Sequence, residues 1–230
     1  MPKTDSHLQN TLQPTLKPTL QRTPLVMQFS KWPEAGRVKT RLIPALGVAG
    51  ALDAHVTLSL EVLDNLCATG FDVEFWWDRP LETPPEDAAP VLKELEGAGI
   101  PQCFQEGENL GARMAAALAG ALQEREAAII VGSDCPSVDP GYVRKAAAAL
   151  SAFDVVLGPS NDGGYVLIGA RRMEAAALAN VAWGTPAVLE QTLARMASAG
   201  LTVTTLEPRW DVDEPDDWAR YQKLAGTGAC

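Results

Sequence analysis

The sequence has few of the residues from which disulfide scaffolds, zinc sites and histidine-based catalytic groups are built. Its 230 residues include only two histidines, His7 and His55, and four scattered cysteines without a Cys-x-x-Cys pair. A disulfide framework or a zinc ribbon is therefore not supported. A histidine-based triad or zinc site would have to rest on His55 alone, because His7 lies in an N-terminal tail. We expect reduced thiols and a cytoplasmic protein.

Long apolar runs and a surplus of positive charge are also missing. No apolar run approaches the roughly 20 residues that span a bilayer, and the N-terminus lacks the apolar segment of a secretory signal. We therefore expect no membrane span and no export. The net charge of −10 argues against nucleic acid or an anionic membrane as a partner, because both favour a basic surface.

The spacing of apolar residues predicts one α/β domain behind a short tail. Residues 1–22 are predicted to be a flexible N-terminal tail, because Pro14 and Pro18 forbid a regular helix there. Residues 23–230 are predicted to form a single domain. Strands are expected over 25–29, 71–77, 100–104, 127–131, 154–157, 164–169 and 201–206, and helices over 48–69, 91–96, 110–124, from 139, 185–199 and 215–224. This alternation indicates a three-layer α/β/α fold with a mostly parallel sheet, in which ligands bind beyond the carboxyl ends of the strands.

A basic loop follows the first predicted strand. It carries Lys31, Gly36, Arg37, Lys39 and Arg41. Gly36 would let the backbone bend close to a ligand, and the four cations would face phosphate oxygens. The loop lacks the pattern of a Walker A motif. A solvated basic loop without a ligand is the alternative.

Carboxylates that could hold a metal follow later strands. Asp134 comes directly after a buried strand, where a hard divalent cation would find an oxygen ligand; a turn or cap role is the alternative. Asp211 and Asp213 lie in an acidic stretch before the last predicted helix. Because they stand two residues apart in an extended segment, we expect one to face a metal while the other caps the helix or pairs.

Two further segments are candidates for ligand contact. The run from Asp162 to Tyr165 lies between two strand-like segments, so it predicts a hairpin turn. The backbone of Gly163 and Gly164 and the carboxylate of Asp162 would also suit a hydroxylated substrate, and both interpretations can hold together. Arg113 lies in the first turn of a predicted helix, where an anion could bind; a plain loop-to-helix entry is equally consistent with the sequence.

Taken in order, these motifs resemble a known family. They are Phe-Ser-Lys-x-Pro-x-x-Gly-Arg-Val-Lys-Thr-Arg-Leu, Gln-x-Gly-x-x-Leu-Gly-x-Arg-Met, Gly-Ser-Asp-Cys-Pro, Gly-Pro-x-x-Asp-Gly-Gly-Tyr, Trp-Gly-Thr and Asp-Val-Asp-x-Pro-Asp-Asp. Together they are similar to the bacterial DUF2064 group, whose members are commonly described as nucleotide-diphospho-sugar transferases or arsenosugar-biosynthesis-type glycosyltransferases. The resemblance spans about residues 25–224 and implies the GT-A-like fold of nucleotide-diphospho-sugar transferases.

The resemblance also implies roles for individual residues. In the GT-A-like superfamily the first-strand loop wraps the nucleotide phosphates, which maps onto the four cations of the basic loop. A metal, Mg²⁺ or Mn²⁺, would be held by Asp134 and Asp213, and the transferred group would face the segment from Asp162 to Tyr165 and Trp183. The chain departs from the superfamily at Glu214, where threonine is usual, and its first loop lacks the Gly-Gly-x-Ser-x-Arg form of classical nucleotidyltransferases.

The function that these motifs imply is a metal-dependent transfer with a nucleotide-linked substrate. The leading hypothesis is a glycosyltransferase that uses a nucleotide-sugar donor and a small-molecule acceptor, with Asp134 and Asp162 in catalytic roles. Nucleotidyl transfer from an NTP to a phosphorylated acceptor is the second hypothesis, and a non-catalytic nucleotide-binding domain is the third. A homodimer is left open.

Overall fold

The computed structural model describes residues 23–227, without the side chains of residues 175 and 227. The predicted tail over residues 1–22 lies outside the described part of the chain. The strands are β1 (Leu25–Ser30), β2 (Asp72–Trp77), β3 (Gln102–Phe104), β4 (Ala128–Gly132), β5 (Val155–Pro159), β6 (Tyr165–Ala170) and β7 (Val203–Thr205). The α-helices are α1 (Ile43–Cys67), α2 (Ala89–Ala98), α3 (Leu110–Ala121), α4 (Pro140–Ala149), α5 (Val188–Ser198) and α6 (Pro215–Thr227).

The strands form one seven-stranded sheet in the order β3-β2-β1-β4-β6-β5-β7. Strand β1 pairs in parallel with β2 and β4, whereas β6 runs antiparallel to both β4 and β5. The prediction of a mostly parallel sheet is confirmed, and β6 is the exception. Because β6 is reversed, the β5–β6 hairpin lies at the same edge of the sheet as the carboxyl ends of β1 and β4.

Helices cover both faces of the sheet, as the alternation of side chains along β1 requires. Met27 belongs to a buried cluster with residues of α3 and α5, including Met114 and Met196. Its neighbour Val26 packs on the other face, with residues of α1 and α4 such as Val62. Successive side chains of a strand point to opposite faces, so a fully buried strand needs a helical layer on each side. The predicted three-layer α/β/α architecture is confirmed.

Several predicted boundaries differ from the structure. Helix α1 begins at Ile43 rather than at residue 48, and it is kinked at Gly47, whose φ of 71° is not helical. Helix α5 begins at Val188 rather than at residue 185, because Thr185 forms a turn in which its carbonyl accepts from the amide of Val188 at 3.2 Å. Helix α4 begins as predicted, directly after Asp139, whose side chain caps the helix by accepting from the amide of Tyr142 at 2.8 Å.

The segment Thr40–Cys67 is long and apolar enough to cross a membrane by length and composition, which the sequence had not led us to expect. In this fold the segment contains buried side chains that belong to the core, among them Leu58 and Leu66. The polar residues His55 and Ser59 are buried on the same helix. A core helix of a globular protein meets the same two criteria.

Candidate active site

Two adjoining compartments lie at the edge of the sheet where β1 and β4 end, and they share Asp134 and Asp213. We call the first the basic compartment; its volume is about 500 Å³, and the cations that line it are Lys31, Arg37, Lys39, Arg41 and Arg113. We call the second the aromatic compartment; its volume is about 290 Å³, and its lining includes Tyr165, Trp183, Met114, Asp162 and Asp211. The fold therefore brings together the basic loop, the strand-end aspartate, the hairpin and the acidic stretch.

Lys39 joins the two carboxylates that separate the compartments. Its Nζ donates to Asp134 Oδ2 at 2.9 Å, to Asp213 Oδ1 at 3.0 Å and to the carbonyl oxygen of Val212 at 2.6 Å. The lysine side chain is only 7% exposed. Burial by itself lowers the pKa of Lys39, but the two carboxylates more than offset burial and raise that pKa above its ordinary value. The predicted phosphate ligand Lys39 is thus an ion-pair partner in this structure.

The charge of Lys39 also acts on Asp134. Burial opposes ionisation of this carboxyl, yet the adjacent ammonium lowers the pKa of Asp134 to about 2. The opposite shift occurs at Asp211, where burial and the negative charges of Asp134, Asp213 and Asp162 raise the pKa to about 7. Asp134 and Asp211 therefore differ widely in acidity, because the lysine contacts Asp134 whereas Asp211 is surrounded by other carboxylates.

The backbone fixes the acidic stretch against the end of β4. The amide of Val212 donates to the carbonyl of Asp134 at 3.0 Å. The side chain of Asp217 accepts from the amides of Asp213 and Glu214, at 3.2 and 2.9 Å, so Asp217 holds the start of α6 and leaves the carboxylate of Asp213 to Lys39. The alternative of Asp213 as the helix cap is wrong.

Asp211 and Asp213 both line the aromatic compartment. The prediction that their spacing would turn them in different directions is therefore wrong in this respect. The reason is that residues i and i+2 of an extended segment point to the same side, so the spacing of two brings the carboxylates together rather than apart. Asp213 differs from Asp211 in that it also lines the basic compartment.

The remaining residues of the predicted basic loop are more exposed. Arg37 is paired with Glu34 at 3.4 Å, and Arg41 is 3.6 Å from both Asp213 and Glu214. The side chains of Arg37 and Arg41 are 66% and 64% exposed, so these pairs contribute little to stability. Gly36 has a φ of 77°, which favours glycine, but it does not line either compartment. Its role in this structure is to turn the loop.

Arg113 lines the basic compartment from the first turn of α3. Its Nε donates to the carbonyl oxygen of Gly107 at 3.2 Å. The helix is capped by Asn109, whose side chain accepts from the amide of Ala112 at 3.0 Å. Leu110 and Arg113 of the first turn of α3 therefore line the same cavity, and anion binding there stays a prediction.

Asp78, Gln105 and His55 also line the basic compartment, and the sequence had not marked them as ligand contacts. Asp78 follows β2 and accepts from the amide of Trp32 at 3.0 Å, and Gln105 follows β3 and donates to the carbonyl of Trp76 at 2.9 Å. His55 contacts the carbonyl of Lys31 at 3.0 Å, and its burial lowers its pKa. The usable signal was position, because Asp78 and Gln105 each follow a strand at the ligand-binding edge.

The wall of the aromatic compartment is closely packed. Tyr165 and Trp183 meet edge to face, with ring centroids 6.2 Å apart. A Cβ on Gly111 would lie 2.6 Å from Cζ2 of Trp183, and a Cβ on Gly163 would lie 2.2 Å from the carbonyl oxygen of Pro186. Both glycines therefore let the chain segments approach closely. Gly163 holds the hairpin without lining the cavity, whereas Gly164 lines it.

Asp162 is held in the β5–β6 hairpin by local hydrogen bonds. Its Oδ1 accepts from the hydroxyl of Ser160 and from the amide of Gly164, the latter at 3.0 Å. Asp162 lines the aromatic compartment together with Gly164, Tyr165 and Trp183. The segment therefore forms the predicted hairpin, and residues of the same hairpin line the cavity.

The donor set between the compartments suits a hard cation. Among residues 23–227 no group of three or more His, Cys, Asp or Glu side chains is placed to hold a metal ion. However, Asp134, Asp213 and the carbonyl of Val212 already direct oxygen atoms at one cationic atom, Nζ of Lys39. Oxygen ligands are those that Mg²⁺ and Mn²⁺ prefer. The two carboxylates fit such an ion at the place where the ammonium now lies.

The fold is that of nucleotide-diphospho-sugar transferases and nucleotidyltransferases. A candidate nucleotide-diphospho-sugar transferase from Desulfovibrio desulfuricans G20 is 29% identical, with 84% of each chain covered and a TM-score of 0.75. A nucleotidyl transferase from Methanothermobacter thermautotroptrophicus is 16% identical over 87% of this chain and 97% of its own, with a TM-score of 0.57. Rv0371C from Mycobacterium tuberculosis H37Rv, in complex with manganese, is 19% identical over 87% and 99%, with a TM-score of 0.52.

The sequence profile of the family described as "Uncharacterized protein conserved in bacteria (DUF2064)" matches residues 68–185, about half of the chain. The protein belongs to this family, as its motifs had indicated. The matched region contains Asp134, the hairpin with Asp162 and Trp183, and it leaves out the basic loop and Asp213. No curated protein matches the sequence.

Proposed function

We propose that the protein is a metal-dependent glycosyltransferase that moves a sugar from a nucleotide-sugar donor to a small-molecule acceptor. The observation that carries this proposal is the separation of charge between the two compartments. Cations line one side of Asp134 and Asp213, while carboxylates and aromatic rings line the other. A nucleotide sugar has the same division, with an anionic diphosphate on one side and an uncharged hydroxylated ring on the other.

In this arrangement the basic compartment binds the diphosphate. Lys31, Arg37, Arg41 and Arg113 supply charge-assisted hydrogen bonds to phosphate oxygens. The exposure of Arg37 and Arg41 leaves both free to turn toward a ligand, because their present ion pairs are weak. These groups stabilise the negative charge of the departing nucleoside diphosphate.

The aromatic compartment receives the sugar. Its lining carries Asp134, Asp162, Asp211 and Asp213, and the one cation that lines it, Arg41, also lines the basic compartment, where it binds the diphosphate in this arrangement. A phosphorylated acceptor would meet charge of its own sign there. An uncharged ring would instead place its C–H face against Trp183 and donate hydroxyl hydrogens to Asp162. The electrostatics therefore favour glycosyl transfer over nucleotidyl transfer to a phosphorylated acceptor.

A divalent ion, Mg²⁺ or Mn²⁺, would be held by Asp134 and Asp213, where it would supply positive charge to the diphosphate leaving group. The chain itself orients the two ends of the donor and excludes water with the packed wall around Tyr165 and Trp183. Asp162 is placed to position a substrate hydroxyl, because its Oδ1 is fixed by the hairpin.

Nucleotidyl transfer is the second candidate. It is favoured by the fold, which this chain shares with a nucleotidyl transfer enzyme of known structure. The two reactions differ in what they release: glycosyl transfer liberates a nucleoside diphosphate from a sugar donor, and nucleotidyl transfer liberates pyrophosphate from an NTP.

The test is product analysis with Mn²⁺, nucleotide sugars of each base, and NTPs with phosphorylated acceptors. We expect release of a nucleoside diphosphate from a sugar donor. Release of pyrophosphate from an NTP, with no nucleoside diphosphate released from any sugar donor, would overturn the proposal.

A binding measurement tests the aromatic compartment. Trp183→Ala should weaken binding of the nucleotide sugar while binding of the matching nucleoside diphosphate is retained. Phe153→Ala is the control, since Phe153 is an exposed aromatic residue that does not line either compartment.

A further inference from the structure

We propose that Lys39 is an internal counter-cation that holds Asp134 and Asp213 in the metal-free protein and that a divalent metal must displace. Metal and ammonium then compete for the same two carboxylates, and the displaced ammonium becomes available to phosphate. The first part stands on the geometry alone, whereas the use of the freed ammonium rests on the proposed function.

The ammonium of Lys39 has its hydrogen-bonding capacity fully used. A lysine ammonium has three hydrogens to donate, and Nζ of Lys39 contacts three acceptors, the carboxylates of Asp134 and Asp213 and the carbonyl of Val212, at 2.6–3.0 Å. In this state Lys39 has no hydrogen left for a phosphate. Its role therefore differs from that of the other cations of the basic loop, because none of them contacts both Asp134 and Asp213.

The three acceptors are held by the fold, and the lysine side chain is the part that can move. The carbonyl of Val212 is fixed because the amide of the same residue donates to the carbonyl of Asp134. Lys39 itself lies in an irregular loop with φ 44° and ψ 43°, a left-handed conformation that is unfavourable for a residue with a side chain. Its four-carbon stem is flexible, so the ammonium can leave while the oxygen atoms stay in place.

The exchange has an electrostatic direction. The carboxylates of Asp134 and Asp213 share the one buried positive charge of Lys39 at present, with the exposed Arg41 at the side of Asp213, and a divalent ion brings two charges. Lys39 also lines the basic compartment, so an ammonium released from the carboxylates remains next to the proposed diphosphate site. Metal binding thereby adds a cation to that compartment, and phosphate in turn favours the released state. Because linkage is reciprocal, metal and diphosphate should strengthen each other's binding.

The decisive measurement is the affinity for Mn²⁺ alone, read from the spectrum of free Mn²⁺ by electron paramagnetic resonance. Without nucleotide, Lys39→Met should bind Mn²⁺ about tenfold more tightly than the natural protein, in the usual range of such couplings. Arg41→Met is the matched control, because Arg41 also pairs with Asp213 but is exposed; it should change the affinity about twofold at most. Unchanged or weaker Mn²⁺ binding in Lys39→Met would overturn the proposal.

Two further variants locate the effect and guard against misfolding. Adding Asp134→Asn to Lys39→Met should abolish the tighter Mn²⁺ binding, and tight binding that persists would place the ion elsewhere and contradict the proposal. Lys39→Gln keeps hydrogen-bond donors beside the carboxylates but no charge. Circular dichroism checks the fold of each variant, and Lys39→Gln carries the same measurement where Lys39→Met does not fold.

The coupling to phosphate is tested with inorganic pyrophosphate. In the natural protein, pyrophosphate should tighten Mn²⁺ binding beyond what complex formation in solution explains, and this gain should shrink in Lys39→Met. An equal gain in both proteins would refute the second part of the proposal. The outcome is separable from that of the proposed function: tighter Mn²⁺ binding in Lys39→Met, together with no turnover of any nucleotide sugar by the natural protein, would support the competition and reject the glycosyltransferase.

Discussion

Replacing Gly111 by alanine is expected to destabilise the protein, whereas the same change at Gly120 on the same helix should not. At Gly111 the new Cβ would lie 2.4 Å from the carbonyl oxygen of Leu178 and 2.6 Å from Cζ2 of Trp183. At Gly120 the new Cβ would have nothing within 4 Å. The pair therefore separates helix propensity, which both sites share, from packing, which only one of them has.

The magnitudes follow from these two contributions. Alanine is favoured over glycine within a helix by up to about 1 kcal/mol, and less near the helix ends. Overpacking costs about 1–3 kcal/mol and sometimes more, and at Gly111 one neighbour is a backbone oxygen that cannot rotate away. We expect Gly111→Ala to lose about 2–3 kcal/mol of unfolding free energy, which lowers Tm by roughly 4–12 °C. Gly120→Ala should leave Tm equal or slightly higher.

Thermal and urea unfolding of the natural protein and both variants measure this difference. Gly111→Ala should also weaken the binding of a nucleotide sugar, because Trp183 must shift to admit the methyl group. Equal unfolding temperatures of Gly111→Ala and Gly120→Ala would refute this prediction, since packing at Trp183 would then not be the cause.

Three further outcomes follow from buried polar groups. Burial lowers the pKa of His55, so the folded protein resists protonation of this histidine. The protein therefore loses stability as pH falls below about 6.5. His55→Gln should flatten the dependence of Tm on pH between about 7.5 and 5.5. Hydrogen bonds from the amide and hydroxyl of Thr202, at 2.9 and 2.8 Å, lower the pKa of Asp154. Asp154→Asn should thus cost about 1 kcal/mol at pH 7, with the difference closing as pH falls below the ordinary aspartate pKa. Tyr221→Phe removes a hydroxyl that donates to Glu61 and should cost about 1 kcal/mol in urea unfolding.

The fold could be predicted because its signals are local. Strands β4, β5 and β6 are short apolar runs, and the hairpin signal around Asp162 correctly indicated two adjacent antiparallel strands. The insertion of β6 between β4 and β5 was not predictable from spacing, because strand order depends on contacts between distant segments. The early start of α1 was missed because Gly47 and Pro44 both signal a loop, although Pro44 is accommodated in the first turn.

The candidate site could be predicted as a set of residues and less well as a set of contacts. The strand-end rule placed Asp134 and the basic loop at one edge of the sheet. The ion pairs of Lys39 were not foreseen, since Asp134 and Asp213 lie 95 and 174 positions further along the chain. A lysine beside a phosphate site and a lysine beside a carboxylate have the same local sequence; only the docking of the acidic stretch distinguishes them.

The contact between Lys39 and Asp213 has a consequence for how the protein folds. Closing a loop of this length costs chain entropy that must be repaid by other contacts, and long-range contacts of this kind slow folding. The sheet can therefore assemble before the stretch around Val212 docks against the end of β4. Until that docking is complete, the ammonium of Lys39 can pair with Asp134 but lacks Asp213 and the carbonyl of Val212, so the cation position is incomplete. The proposed ability to bind metal should thus be acquired late in folding, and Mn²⁺ binding would then be a sensitive probe of newly made or partly unfolded chains.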